Sequence, residues 1–584
     1  MVREVSEVQG NKMEIQEKLK IIIKKAVKAL DIEVPDFALE YPTEAAHGDF
    51  ATNVALILGK KVGKNPREIA EKIKNEIEKS KPDFVSKIEV AGPGFINFYL
   101  SREFFTDIVK EILKLGNTFG QNKNLKGKKI LVEYTDPNPF KPFHIGHLMS
   151  NAIGESISRL FKYSGAKTIN VNYQGDVGLH VAKAIYGMHK AGMPKNMSAP
   201  ASVLAQYIGD AYMKGSDAYE KDSEAKKWID DVNKKIYDRS DKEVNQVYDW
   251  GRKVTLEAFE EIYKILGTKF DYYFFESQIA EKGVKIVRDF LKKGVFEESE
   301  KAIVFKADKF DPKLHTRVFI SSQGLPTYET KELGLNVTKF EKINPDVSIV
   351  VTANEQTEYM KVLFKAFEIM YPESRKKMEH ISHGMMRFAD GKMSSRKGNV
   401  ITGESLIKDV EEMVRAKIAE RGFTEKEAEK ISQIVSVGAI KYSILRQAIV
   451  SDIIFDAEKS VSFEGDSGPY LQYAVVRAKS VIEKGKKEGV KISAKNPGEN
   501  IAGFERKLSR FPHIVTRAAD MRAPHILVSY LVDLASDFNA YYAQTKIIDI
   551  SDPYSSYRLA LASALATVVE NGLLILGINV PDKM

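Results

Sequence analysis

The chain is predicted to be a multidomain α/β protein: a doubly wound parallel-sheet domain carrying a helical insertion, preceded by a small α+β domain and followed by an all-helical bundle. Three observations predict this. Residues 128–164 read as strand, turn and helix. Further strand-like runs at Thr168–Tyr173 and Val347–Val351 supply the two βαβ-type halves that such a sheet needs. Beyond residue 400 the apolar residues keep helical spacing to the end.

The 128–164 stretch is the centre of the chain. Ile130-Leu131-Val132 is a short apolar run, and Pro137, Pro139 and Pro142 then turn the backbone. Ile145, Leu148, Ile153, Ile157, Leu160 and Phe161 recur at helical spacing, and Gly165 suits the position past a helix end. The first turn of that helix reads His144-Ile145-Gly146-His147. Unpaired amides and partial positive charge at a helix N-terminus attract phosphate. Two histidines one turn apart add donors, and Gly146 clears space for a base or ribose. The pattern H-x-G-H is expected by composition about 0.01 times in this chain. The alternative is that both histidines make ordinary surface or core contacts.

Residues 1–120 form the first unit. Met13–Leu30 has helical spacing, two helical stretches follow Pro35, and 88–100 contains two strand-like runs around Gly92-Pro93-Gly94. His47-Gly48-Asp49 reads as a turn with a capping Asp. Residues 115–129 read as a linker.

Residues 121–400 form the sheet domain. The part from about 190 to 310 is highly charged and reads as a solvated helical insertion. Arg317–Ile320 reads as a strand that resumes the sheet. Residues 388–400 pack Lys392, Arg396 and Lys397 with Ser394, Ser395, Gly391 and Gly398 into one loop. Alone this is a solvated basic loop. Beside the histidine turn it becomes a clamp for a triphosphate.

Residues 401–465 read as a helical connection and 466–584 as the bundle. Tyr470, Tyr473, Arg477, Arg517, Arg522, Tyr530, Tyr541, Tyr542, Lys546 and Arg558 interleave there. Most of the aromatics belong to the bundle core; exposed ones beside arginines suit stacking on unpaired bases. Leu559–Val580 is apolar but interrupted by Glu570, Asn571 and Gly572, so no membrane span is expected.

The 584 residues contain no cysteine, which excludes disulfides, cysteine nucleophiles and cysteine-held zinc. The net charge of +8 permits a nucleic-acid partner without requiring one. The N-terminal residues are too polar for a secretory signal, so the cytoplasm is the expected compartment.

The two motifs together, 144–147 and Lys392-Met393-Ser394-Ser395-Arg396-Lys397-Gly398, resemble the two signatures of class I aminoacyl-tRNA synthetases. Residues 132–148, 175–180, 325–335, 467–481 and 558–584 resemble the arginyl-tRNA synthetase family, and 47–60 and 92–100 resemble its N-terminal domain. The resemblance touches every part of the chain and is weakest in the insertion.

The resemblance implies ATP-dependent attachment of L-arginine to its tRNA through arginyl-adenylate, with activation requiring bound tRNA. It implies ATP as substrate, Mg²⁺ arriving with ATP, no zinc, and a monomer. It places His144, Gly146, His147, Lys392, Met393, Ser394 and Ser395 around ATP, the histidines stabilising the transition state and Lys392 at the pyrophosphate. Ser395 stands where the generic loop has a second lysine, so Lys141 or Lys397 is expected to replace it. For arginine the resemblance implies Asn138 and Gln356 at the backbone or amino group, with His147 alongside. Tyr328 lies along the side chain and Glu332 pairs with the guanidinium, at a position where the family's usual acid is Asp. Glu133 and Asp136 complete the acids. The first domain would touch the tRNA elbow and the helical bundle would bind the anticodon region. Three alternatives stand beside this: another class I synthetase, a catalytically silent tRNA-binding paralogue, and a nucleotidyltransferase acting on a small molecule.

Overall fold

The computed structural model describes residues 15–389 and 401–584. The chain divides into two compact units. One comprises the described part of 1–120 with 474–516 and 530–571; the other comprises 121–473, 517–529 and 572–584.

In the second unit, five parallel strands form the central sheet. Their order is Met378–His383, Val347–Ala353, Lys129–Glu133, Lys167–Gln174, Tyr272–Phe275. In chain order this is 5-4-1-2-3, the doubly wound arrangement, and the order reverses between Lys129–Glu133 and Val347–Ala353. The inner strands are apolar where both faces are covered: Leu131, Val132, Val171 and Ile349 are fully buried. The helix predicted after the proline turn spans Ile145–Tyr163, and Gly165 follows with φ 91°.

The insertion differs from the reading by charge pattern. Its helices, Ala201–Lys221, Ser223–Asp238 and Lys242–Leu266, end well before residue 310. Tyr272–Phe275 returns to the central sheet as its edge strand. Arg317–Ile320 is a strand, but it joins a three-stranded antiparallel sheet with Glu297–Ser299 and Ala302–Phe305. Charge density alone could not distinguish a short edge strand from a helix turn.

In the first unit a four-stranded antiparallel sheet packs with the Ile15–Lys28, Val54–Val62 and Pro66–Glu78 helices around Leu19, Ile23, Phe50, Ile73 and Phe98. Asp49 is not a turn cap. Its carboxylate accepts the Leu100 amide at 2.8 Å and pairs with Arg506 at 2.6 Å. The Ser555–Ile575 helix carries Glu570, Asn571 and Gly572 within it. Among the described residues it is the one helix long and apolar enough to cross a membrane by length and composition, and 72% of that window is buried inside the protein. Its apolar residues, among them Leu559, Leu565 and Val569, are core.

Candidate active site

The site lies where the carboxyl ends of the central strands converge, beside the point at which strand order reverses. In a doubly wound sheet the crevice there is the ligand position.

The loop leaving the first strand is strained. Thr135, Asp136 and Phe140 all have positive φ (81°, 46° and 67°), costly for non-glycine residues. Hydrogen bonds hold it. Ser150 Oγ accepts the Thr135 amide at 3.0 Å and donates to the Val351 carbonyl at 2.9 Å. Asn151 donates to Thr135 Oγ1 at 3.0 Å. Asp136 Oδ1 accepts the Tyr173 amide at 2.7 Å, and Asn138 Oδ1 accepts the Gly175 amide at 3.2 Å. The loop is thereby tied to the ends of both neighbouring strands.

His144 occupies the N-cap of the Ile145–Tyr163 helix. Its amide donates to His147 Nδ1 at 3.2 Å, and the two rings stack with centroids 3.5 Å apart. A Cβ on Gly146 would lie 3.0 Å from the His144 ring, so glycine lets that ring fold over the first turn. His144 is exposed and His147 is buried. His144 keeps a solvent-exposed side, yet the protein packed around the rest of its ring, reinforced by Lys141, pushes it down to about 4. Burial, then His144 and Lys141, holds His147 well below the usual histidine range. Both imidazoles are therefore neutral at pH 7 and act as hydrogen-bond donors rather than cations. Lys141 Nζ lies 5.4 Å from the Tyr212 ring centroid, its pKa lowered by burial and by Lys183.

A second group gathers around the Tyr328–Lys342 helix. Lys339 Nζ lies 2.7 Å from Glu133, both essentially inaccessible. Lys339 also donates to Asn336 Oδ1 at 3.3 Å, and Asn336 Nδ2 donates to Glu332 at 3.4 Å. Burial, with Glu133 adding to it, pushes Glu332 up to about 8 and Asp136 well above the carboxylate range. The structure thus brings Glu133, Asp136 and Glu332 together, with Asn138 beside them on the loop. Tyr328 and Gln356 are exposed at the rim, at the starts of the Tyr328–Lys342 and Thr357–Met370 helices. Lys392, Met393, Ser394, Ser395 and Lys397 lie outside the described residues.

Sequence reasoning missed four contributors. Lys339 and Asn336 are polar residues on the buried face of an otherwise amphipathic helix, and that misplacement was the available signal. Tyr173 is buried with a hydroxyl that has no hydrogen-bond partner. His180 donates to the Gly175 carbonyl at 2.8 Å, bracing the loop that Asn138 holds. Among the described residues no group of three or more His, Asp or Glu side chains could hold a metal ion.

Comparisons with known proteins agree across the chain. Residues 13–100 match the arginyl tRNA synthetase N terminal domain, 108–457 the class I (R) tRNA synthetase catalytic domain, and 471–584 the DALR anticodon binding domain. Arginine–tRNA ligases of Borreliella afzelii and Clostridium botulinum are each 31% identical, the match covering 98% of this chain and 99% and 100% of theirs. The structure of Thermus thermophilus arginyl-tRNA synthetase superposes with a TM-score of 0.78 at 23% identity, covering 98% of this chain and all of that one. With its doubly wound sheet, histidine turn and matches over three consecutive domains, this chain belongs to the arginyl-tRNA synthetase family of class I aminoacyl-tRNA synthetases.

Proposed function

We propose the following division of labour in an ATP-dependent arginine–tRNA ligase. The α-carboxylate of arginine attacks the α-phosphorus of ATP. The bond to the bridging oxygen breaks, pyrophosphate leaves, and arginyl-adenylate remains. A hydroxyl of the terminal tRNA ribose then attacks the arginyl carbonyl, and AMP leaves.

The protein aligns the reactants and meets the charge that develops on phosphate. His147 accepts at Nδ1, so its Nε2 carries the proton and donates to the reacting phosphate. His144 donates alongside it, with Gly146 giving the nucleotide room. Lys392 neutralises the pyrophosphate, Met393, Ser394 and Ser395 complete the ATP contacts, and Lys141 or Lys397 supplies the second cation. Mg²⁺ arrives on the ATP phosphates. Asn138 and Gln356 hold the amino-acid backbone, Tyr328 lies along the side chain, and Glu332 pairs with the guanidinium, supported by Glu133 and Asp136. The first domain meets the tRNA elbow and the helical bundle the anticodon region. A monomer in the cytoplasm fits this reading.

The observation that carries the amino-acid assignment is the surplus of buried carboxyl groups at 133, 136 and 332, which suits a planar cation. The experiment is amino-acid-dependent ATP–pyrophosphate exchange, with and without tRNA, over a panel of amino acids. Exchange with arginine that appears on adding tRNA is expected, weakened in Lys141→Ala or Lys397→Ala. Exchange with another amino acid would overturn the guanidinium pocket.

A further inference from the structure

The inference rests on the guanidinium reading of the pocket and concerns how its charge is kept. Three carboxyl groups meet there: Glu133 and Asp136 from the first strand and its loop, and Glu332 from the Tyr328–Lys342 helix. Among the described residues one cation is paired with them, Lys339, and it is committed to Glu133. The neighbouring cations are spent elsewhere. Lys331 pairs with the buried Glu276 at 2.5 Å, and Arg317 with Glu329 at 3.3 Å. Glu276 and Glu329 add negative potential at Glu332. Tyr173 and Tyr359 face the pocket as neutral phenols, and the buried Tyr173 hydroxyl has no partner. Asp136 keeps one amide donor, from Tyr173, and Glu332 keeps one, from Asn336.

We infer that Lys339, aimed by Asn336 and committed to Glu133, is a positioning residue that leaves Asp136 and Glu332 without a cation in the empty pocket, so that arginine binding expels one proton. Two adjacent buried carboxyls with no cation cannot both stay charged. A guanidinium does not lose its own proton in a protein. It brings one positive charge, and one carboxyl ionises to meet it. The other keeps its proton and remains a hydrogen-bond donor. Burial and Glu133 set Glu332 at about 8, so at pH 7 the proton competes with arginine.

Titration calorimetry of L-arginine into the full chain tests this at pH 7 in PIPES and in Tris, whose ionisation enthalpies differ widely. The expected result is a difference in binding heat matching release of about one proton per arginine. Affinity should rise about tenfold per pH unit up to roughly pH 8 and then level off. Lys339→Met strips Glu133 of its cation, so one of the three carboxyls still ionises to meet the guanidinium and the release should stay near one with affinity lowered; Lys339→Arg should restore the affinity. Glu133→Gln frees the ammonium for Glu332 and should lower the release toward zero. A purely structural role for Lys339 would leave the release at one in Glu133→Gln. Equal heats in both buffers would overturn the inference and leave the pocket standing. No arginine binding, with or without tRNA, would overturn the pocket as well.

Discussion

The Nδ1 of His147 accepts the His144 amide, which commits its Nε2 to donation before any ligand arrives. On the proposed reading, replacing either histidine with Asn shortens and misplaces the donor that meets charge developing on phosphate. His147→Asn and His144→Asn should lower kcat for tRNA-dependent exchange by about 10²–10³-fold with little change in KM for arginine, read by steady-state kinetics. His180 tests the same environment through stability. Burial, then Lys141, pushes it down to about 3, against an ordinary value of 6.5. The folded state therefore holds it neutral while the unfolded chain protonates. Stability is fully present above pH 6.5 and is lost as pH falls toward 3, by about 1.4 kcal/mol per pH unit for this group. Urea unfolding at pH 7 and pH 5 should show the loss, and His180→Gln should flatten it. At this scale the two histidines were legible because their spacing places both in one helix turn. Tyr173 and Lys339 were not, because a tyrosine in a strand or a lysine in a helix has no local mark of burial.

The two helices that carry Glu276, Glu332 and Lys339 pack closely against each other. Gly283 of Glu276–Lys292 and Gly334 of Tyr328–Lys342 allow their backbones to touch: a Cβ on Gly283 would lie 2.1 Å from the Thr330 carbonyl oxygen. Gly283→Val should push the second helix outward and displace Glu332 and Lys339 together. The expected outcome is a rise in KM for arginine of about tenfold or more, with KM for ATP changed less and with a lowered Tm. Helices with strong apolar spacing were legible at this scale. The edge strand Tyr272–Phe275 and the small sheet around Ala302–Phe305 were not. Strands of three or four residues carry too few positions to show a period, and hydrogen bonding to distant strands defines them.

In the unit that contains 15–120, buried ion pairs join segments far apart in sequence. Arg102 pairs with Glu505 at 2.7 Å, and Tyr557 donates to the same carboxylate. Arg506 pairs with Asp49, and Arg510 lies over the Tyr41 ring at 4.4 Å. Glu505→Ala leaves Arg102 without its acid in a nearly inaccessible place. The expected cost is about 3–5 kcal/mol, seen as a lower urea midpoint for this unit. Glu505→Gln, which keeps the hydrogen bonds, should cost less.

By itself the sequence determined the kind of molecule. Helical periodicity, the strand–turn–helix at 128–164, the H-x-G-H turn and the basic loop at 392–398 are local patterns, because an amide, an imidazole and a glycine act within one turn of backbone. The tertiary structure decided what depends on distance and dielectric. Asp49 is an ion-pair partner and not a cap, Leu559–Ile575 is bundle core, and Glu133 is held by Lys339, 206 positions away in sequence. The charge state of the pocket belongs to this second class. Whether a carboxyl keeps its proton depends on the water removed around it and the cations left within reach, and neither is written at the residue itself.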